Sequence, residues 1–238
     1  MADKSFISMF RRGIKVNVIG DSIAAGAGAS DSTKSNEKII TTKKNTYCRR
    51  YSNKSWYGLF EEYIKDKFPK CSIVNNGCGG ITSSEVREYI GELYSDDDDL
   101  IILQIGGNDR KIENGMNILF DNITHIVRYF KEKNKKIILM TGIPSTVQNE
   151  SFPNRLYHNE DVNNIVQCVA QNEDIFLVDN YNYVQDYLLF TGRTIEDIMI
   201  QENCMNDGLH PSDFVHELIY RNLMKSIGLG VKVKGAAW

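Results

Sequence analysis

The chain has 238 residues, 42% hydrophobic and 25% charged, with 28 Lys and Arg against 31 Asp and Glu for a formal net charge of −3. That is the composition of a globular chain long enough to bury a polar site without disulfide staples, and its mild acidity gives no electrostatic footprint for nucleic acid. No run approaches the ~18 apolar residues of a membrane span, and the start, MADKSFISMFRRGIKVNVIG, lacks a charged region followed by a signal-length apolar one, so a cytoplasmic location is expected.

In chain order, a first apolar run at 15–19 (KVNVI) reads as a strand. Residues 29–54, rich in Lys, Ser, Thr and Asn, read as a long loop. Trp56, Leu59, Phe60, Tyr63, Ile64 and Phe68 then fall on one helical stripe. A second strand follows at 71–75 (CSIVN), and a second stripe at Val86, Tyr89, Ile90 and Leu93. Four aspartates at 96–99 form a solvated turn before a third strand at 100–105 (LIILQI). Ile118, Leu119, Ile123, Ile126, Val127 and Phe130 mark the next helix. A strand at 136–140 (KIILM), a helix over about 162–169 and a strand at 175–179 (IFLVD) follow. Residues 181–206 contain Gly192 but no clean period, and read as a second loop. A last helix runs over about 213–227, with Ser212 or Asp213 as its cap behind Pro211.

The strands are aliphatic on both phases, as in a parallel sheet buried on both faces. Their alternation with helices implies right-handed crossovers in a single domain over 1–238. Such sheets bind ligands outside the carboxyl ends of their strands, so chemistry belongs just after the apolar runs. The two loops, 29–54 and 181–206, flank that end and are expected to shape a pocket.

Four polar blocks stand there. They are Gly20-Asp21-Ser22, Asn75-Asn76-Gly77-Cys78-Gly79-Gly80-Ile81-Thr82, Gly106-Gly107-Asn108-Asp109, and Asp207-Gly208-Leu209-His210-Pro211. The glycines of GDSIAAGAG are followed by no Gly-Lys-Ser/Thr and do not fit GxGxxG, which excludes both phosphate-binding motifs. Ala24 stands where GxSxG needs glycine, which disfavours an α/β-hydrolase elbow. Five cysteines without a CxxC pair argue for a reducing compartment and against zinc. Taken singly, Ser22 reads as a helix cap, the glycines as turn residues, Asn108 as a turn or cap residue, and Asp207 with His210 as a loop-and-cap pair. A single reaction demands all of these residue types, which favours chemistry.

In this order the four blocks resemble the SGNH (GDSL-like) hydrolase family, over about residues 15–227. The resemblance implies a three-layer α/β/α, flavodoxin-like sandwich on a five-stranded parallel sheet. It implies hydrolysis of carboxylic esters through an acyl-serine intermediate, with no cofactor and no metal. Ser22 is the implied nucleophile, presented by a sharp turn into a helix. A free hydroxyl needs a base; His210 takes its proton and returns it to the leaving alcohol, and Asp207 fixes the imidazole tautomer. The implied oxyanion hole is the backbone N–H of Ser22, the backbone N–H of Gly80 and the side-chain amide of Asn108.

The family pattern is departed from at Val215, before His216, and at Ile81, neither among these five residues. Asp21 and Asp109 are expected to hold loops together, and Cys78 and Cys204 to be buried filler. His125, His158 and His216 carry no catalytic pattern. Tyr47, Tyr51, Trp56 and Tyr57 either stack on sugar rings or anchor the core and loop. The expected partner is a small-molecule or glycan ester, first an acetyl ester on carbohydrate, because no long apolar segment suggests an acyl-chain tunnel. No nucleic-acid or membrane partner is expected. Acyl transfer to a sugar hydroxyl, lipase- or thioesterase-type activity, and a non-catalytic glycan-binding module, for example in a surface or phage-tail assembly, stay open at this stage.

Overall fold

A computed structural model describes residues 5–230. It runs α1 (Ser5–Arg12), β1 (Lys15–Gly20), β2 (Thr33–Thr41), β3 (Thr46–Tyr51), α2 (Trp56–Lys67), β4 (Ser72–Gly77), α3 (Ser83–Glu88), α4 (Ile90–Leu93) and β5 (Leu100–Gln104). A 3-10 turn at Asp109–Lys111 leads to α5 (Gly115–Glu132), β6 (Lys136–Met140), α6 (Val147–Glu150), α7 (Asn159–Asn172), β7 (Phe176–Val178), α8 (Asn180–Thr191), α9 (Glu196–Met199) and α10 (Asp213–Ser226).

Five strands pair in parallel in the order β4-β1-β5-β6-β7. This is the flavodoxin-like order, and its switch point lies between β1 and β5. The strands send alternate side chains to two cores. Val16, Val18, Leu100, Ile102, Ile138 and Met140 pack with α1, α2 and α10 on one face. Ile19, Ile101, Leu103, Ile137 and Leu139 pack with α3, α5 and α7 on the other. The three-layer sandwich is thus present. No helix among the described residues is long and apolar enough to cross a membrane.

All five expected strands are found, with small shifts in their ends. Elsewhere the expectations need correction. Residues 29–54 contain the antiparallel β2–β3 hairpin. Its polar composition hid it, because Ile40 and Tyr47 are the only buried residues of its two strands. Residues 181–206 are mostly helical, as α8 and α9. In α8 only Asn180, Val184 and Leu188 are buried, while Leu189 and Phe190 face solvent, which erased the apolar period. The second stripe is broken at Tyr89 into α3 and α4. Helix α1 was not anticipated; its Phe6 and Phe10 enter the core, Phe6 edge-on to Phe176 at 4.8 Å.

No regular helix follows Ser22. Residues 22–28 form an irregular turn, with Ala25 N–H bonded to Asp21 O, Gly26 N–H to Ile23 O and Ala27 N–H to Ser22 O. Gly26 and Gly28, at φ +79° and +105°, divert the chain before a helix can propagate. Trp56, fully buried, donates its Nε1–H to Ile23 O at 2.9 Å, so it anchors this turn.

His216 ties three of these elements together from α10. It is fully buried, accepts from Trp56 N–H at Nδ1 (3.3 Å) and donates from Nε2 to Ala27 O (3.1 Å). Burial pushes the imidazole down to about 4. An unfolded chain has an ordinary histidine pKa of ~6.5 and takes up a proton below it that the native state refuses, so this group's stability contribution falls as pH drops from ~6.5 to ~4. Urea unfolding of wild type and His216→Gln should show a stability gap that narrows by about 2 kcal/mol between pH 7 and 4.5. A gap independent of pH would contradict the buried neutral imidazole.

Candidate active site

The loops after β1, β4 and β5 and the segment before α10 meet at the carboxyl edge of the sheet. Asp21 N–H bonds to Gln104 O on β5 (3.1 Å), and Cys78 N–H to Gly20 O (2.8 Å). The Asp21 carboxylate accepts from Ile23 N–H at 3.0 Å and from Gly107 N–H at 3.3 Å. Burial raises its pKa against the pull of those amides. Asn75 donates to Ala24 O at 2.9 Å. The backbone on either side of Ser22 is therefore bonded to both neighbouring strands.

His210 Nε2 lies 2.9 Å from Ser22 Oγ, and His210 Nδ1 lies 2.6 Å from Asp207 Oδ2. The other carboxylate oxygen of Asp207 accepts from the N–H groups of Leu209 (3.0 Å) and His210 (2.9 Å). Burial works to raise the Asp207 carboxyl, but the hydrogen bond and charge of His210 and the two amides outweigh it and hold the group well below the usual range. An ionised Asp207 selects the tautomer with a proton on Nδ1, which leaves Nε2 free to accept from the Ser22 hydroxyl. The His210 side chain is 13% exposed and that of Asp207 37%, so the site opens to solvent on the Asp207 side.

Gly80 and Asn108 are brought to the same edge. Among the described residues no acceptor engages the backbone N–H of Ser22 or of Gly80. Gly80 sits at φ +91°, a conformation that favours glycine, and a Cβ there would meet no protein atom within 4 Å. Glycine is needed here for its backbone angle, and the space before it is open. The Asn108 amide donates one hydrogen to Ile81 O at 3.0 Å, leaving its second available. Asp109, as expected of a loop anchor, accepts from Ser83 N–H (3.2 Å) and Ser83 Oγ (2.5 Å), and burial raises its pKa to about 6. Cys78 is fully buried with its thiol raised to about 12 by burial, consistent with a filler.

The GDSL-like Lipase/Acylhydrolase family matches residues 18–218. The chain belongs to this family. Among solved structures, the chain is similar to a mutant acetyl-xylooligosaccharide esterase from Geobacillus, at TM-score 0.68 and 19% identity over 93% of this chain and 98% of that one. It is also similar to an acetylxylan esterase from Geobacillus stearothermophilus (TM-score 0.65, 19% identity, 92% and 95% covered). A third is an α/β hydrolase enzyme from the metagenome of Lake Arreo, Spain (TM-score 0.66, 18% identity, 91% and 95% covered). At such identities these likenesses establish the fold. A search of curated proteins finds no match.

In this GDSL-like chain the loop bearing Asp207 and His210 is clamped by residues that no motif pointed to. Thr146 N–H bonds to Gly208 O (2.9 Å), and Asn149 Nδ2 donates to Asp207 O (3.1 Å). Gly208 stands at φ +72°, where a Cβ would come within 2.0 Å of Thr146 Oγ1. Gly28 is as tightly placed, since its Cβ would come within 2.3 Å of Pro211 O and 2.9 Å of His210 Cβ. Behind them Arg110, fully buried, forks onto Glu150 at 2.9 and 3.0 Å and reaches Asn149 Oδ1 at 3.3 Å. The residue directly after Gly-Gly-Asn-Asp thus supports the one that holds Asp207. Its place in the sequence was the only signal, and that does not reveal burial. A larger cavity of about 720 Å³, lined by Ser145, Glu150, His158, Tyr181 and Glu196 among others, contains none of the five candidate residues.

Removing one partner of such a pair strands the other charge. Arg110→Leu should lower stability by about 3 kcal/mol in denaturant unfolding, and Arg110→Leu with Glu150→Leu should lose less than the single change. A double variant at least as unstable as Arg110→Leu would contradict the pairing.

Proposed function

We propose that this chain hydrolyses carboxylic esters through an acyl-Ser22 intermediate and acts on a small acyl group, first acetyl, carried by a carbohydrate. One observation carries the reading. The continuous line from Asp207 Oδ2 through His210 to Ser22 Oγ, at 2.6 and 2.9 Å, is what a serine nucleophile needs.

As Ser22 attacks the ester carbonyl, His210 Nε2 takes its proton. The carbonyl oxygen becomes an oxyanion, which the N–H groups of Ser22 and Gly80 and the Asn108 amide stabilise. Collapse of the tetrahedral species breaks the bond to the alcohol, which leaves with the proton held by His210. Water attacks the acyl-serine by the same route, and the acid departs. Asp207 stays ionised throughout and offsets the charge on the imidazolium. The exposure of Asp207 supports water as the acceptor over a sugar hydroxyl, since transfer requires water to be kept from the acyl-enzyme.

The acetyl-carbohydrate part has two supports. The cavity of about 220 Å³ beside Ala25 and Gly79 has a polar wall, with Lys34, Asn45, Thr46 and Arg50, which suits a hydroxylated alcohol half. Two structural neighbours are named as esterases of acetylated xylan or xylo-oligosaccharide.

Aryl esters of increasing acyl length test the reading, beside acetylated oligosaccharides. Acetyl should be cleaved best, and Ser22→Ala should be inactive on all. Asn108→Ala should lose about 100-fold or more in kcat, as for one lost oxyanion donor. Hydrolysis that survives Ser22→Ala contradicts the nucleophile, and preference for long acyl chains contradicts the substrate class.

A further inference from the structure

The β2–β3 hairpin carries six basic residues, Lys34, Lys38, Lys43, Lys44, Arg49 and Arg50, and one acidic residue, Glu37, in a chain whose net charge is negative. The partners of its two arginines differ sharply. Arg49 is fully committed: it bonds Glu37 at 2.9 Å, Asn76 Oδ1 at 3.2 Å and Asn75 O, fastening the hairpin to β4. Arg50 is half-buried and donates to Ser32 Oγ at 3.2 Å. No carboxylate among the described residues pairs with it. Burial pushes its guanidinium down with no acidic neighbour to offset the effect.

Directly across the ladder from Arg50 stands Lys34. Like charges facing each other destabilise a strand pair. Both line the 220 Å³ cavity together with Asn45, Thr46, Ala25 and Gly79. Ala25 lies three residues beyond Ser22, and a Cβ on Gly79 would be 3.9 Å from Ser22 Cβ. A half-buried guanidinium with no carboxylate partner, and the exposed ammonium of Lys34 across from it, therefore face the space beside the proposed nucleophile. A guanidinium with free N–H groups is matched to a planar carboxylate or a phosphate, which it binds through two parallel hydrogen bonds.

We propose that this cavity receives an anionic group on the alcohol half of the substrate, so that Arg50 and Lys34 select acetylated acidic sugars over neutral ones. The proposal rests on the ester-hydrolase reading above. Arg50 is a specificity residue in it and takes no part in the proton transfers. The anion stays bound while acetate is formed, and is unchanged by the reaction.

The test measures acetate release from two matched pairs. The first is acetylated galacturonic acid against acetylated galacturonamide, which keeps the ring and removes the charge. The second is acetylated glucose 6-phosphate against acetylated glucose. Wild type should favour a charged member by about tenfold or more in kcat/KM, mainly through KM, and the ratio should shrink with added salt. Preference in the first pair identifies a carboxylate and in the second a phosphate; either supports the proposal. In Arg50→Gln the charged-to-neutral ratio should fall toward one. Equal or reversed ratios in both pairs overturn the proposal while leaving the esterase intact. A ratio that resists both salt and Arg50→Gln also overturns it. If no substrate is hydrolysed, the esterase reading itself falls and takes the proposal with it.

Discussion

The 2.9 Å contact between His210 Nε2 and Ser22 Oγ joins residues 188 positions apart, and much of the molecule is arranged to hold it. Ser22 is placed by the carboxyl ends of β1, β4 and β5. His210 is placed by the start of α10, where Ser212 caps the helix on Val215 N–H at 3.3 Å and bonds back to Ile198 O. The two sides are then locked together. Trp56 and His216 both bond to the turn after Ser22, and Gly28 lies against His210 and Pro211 without room for a Cβ. A switch point between β1 and β5 lets loops from both halves of the sheet converge there.

Charge is distributed in a consistent way around that contact. The acids behind the site are held by fixed donors: buried Asp21 by amides, buried Asp109 by Ser83, and partly buried Glu150 by Arg110. Each organises a loop. Asp207, more exposed than these, is the acid in line with His210, and the hydrogen bond and charge of that histidine help hold its pKa down against burial. The surplus positive charge sits on the hairpin side, where Arg50 and Lys34 line the cavity next to Gly79.

The strands and the four polar blocks were legible in the sequence because they obey local rules. An aliphatic run such as Leu100–Gln104 is apolar on both phases only if both faces are covered. Ser22, Gly80, Asn108, Asp207 and His210 stood out because each follows a strand or precedes a helix. The hairpin and α8 were not legible, since their solvent-facing residues leave no period. Nor was the support beneath the site. Arg110 and Glu150 look like surface charges in sequence, and only a tertiary partner 40 residues away accounts for a fully buried guanidinium. The turn after Ser22 resembles a helix start in sequence, and the positive φ angles of Gly26 and Gly28 that interrupt it are not visible there.

Covalent trapping tests the central claim most directly. A fluorophosphonate, which loses fluoride to the attacking hydroxyl, reacts with a serine only when that hydroxyl is activated by a base and the oxyanion is held. Peptide mass mapping of the treated protein should find one phosphonyl group, on Ser22, and none at that position in His210→Ala. A wild-type protein that stays unlabelled at Ser22, or carries the label on another residue, would contradict the account.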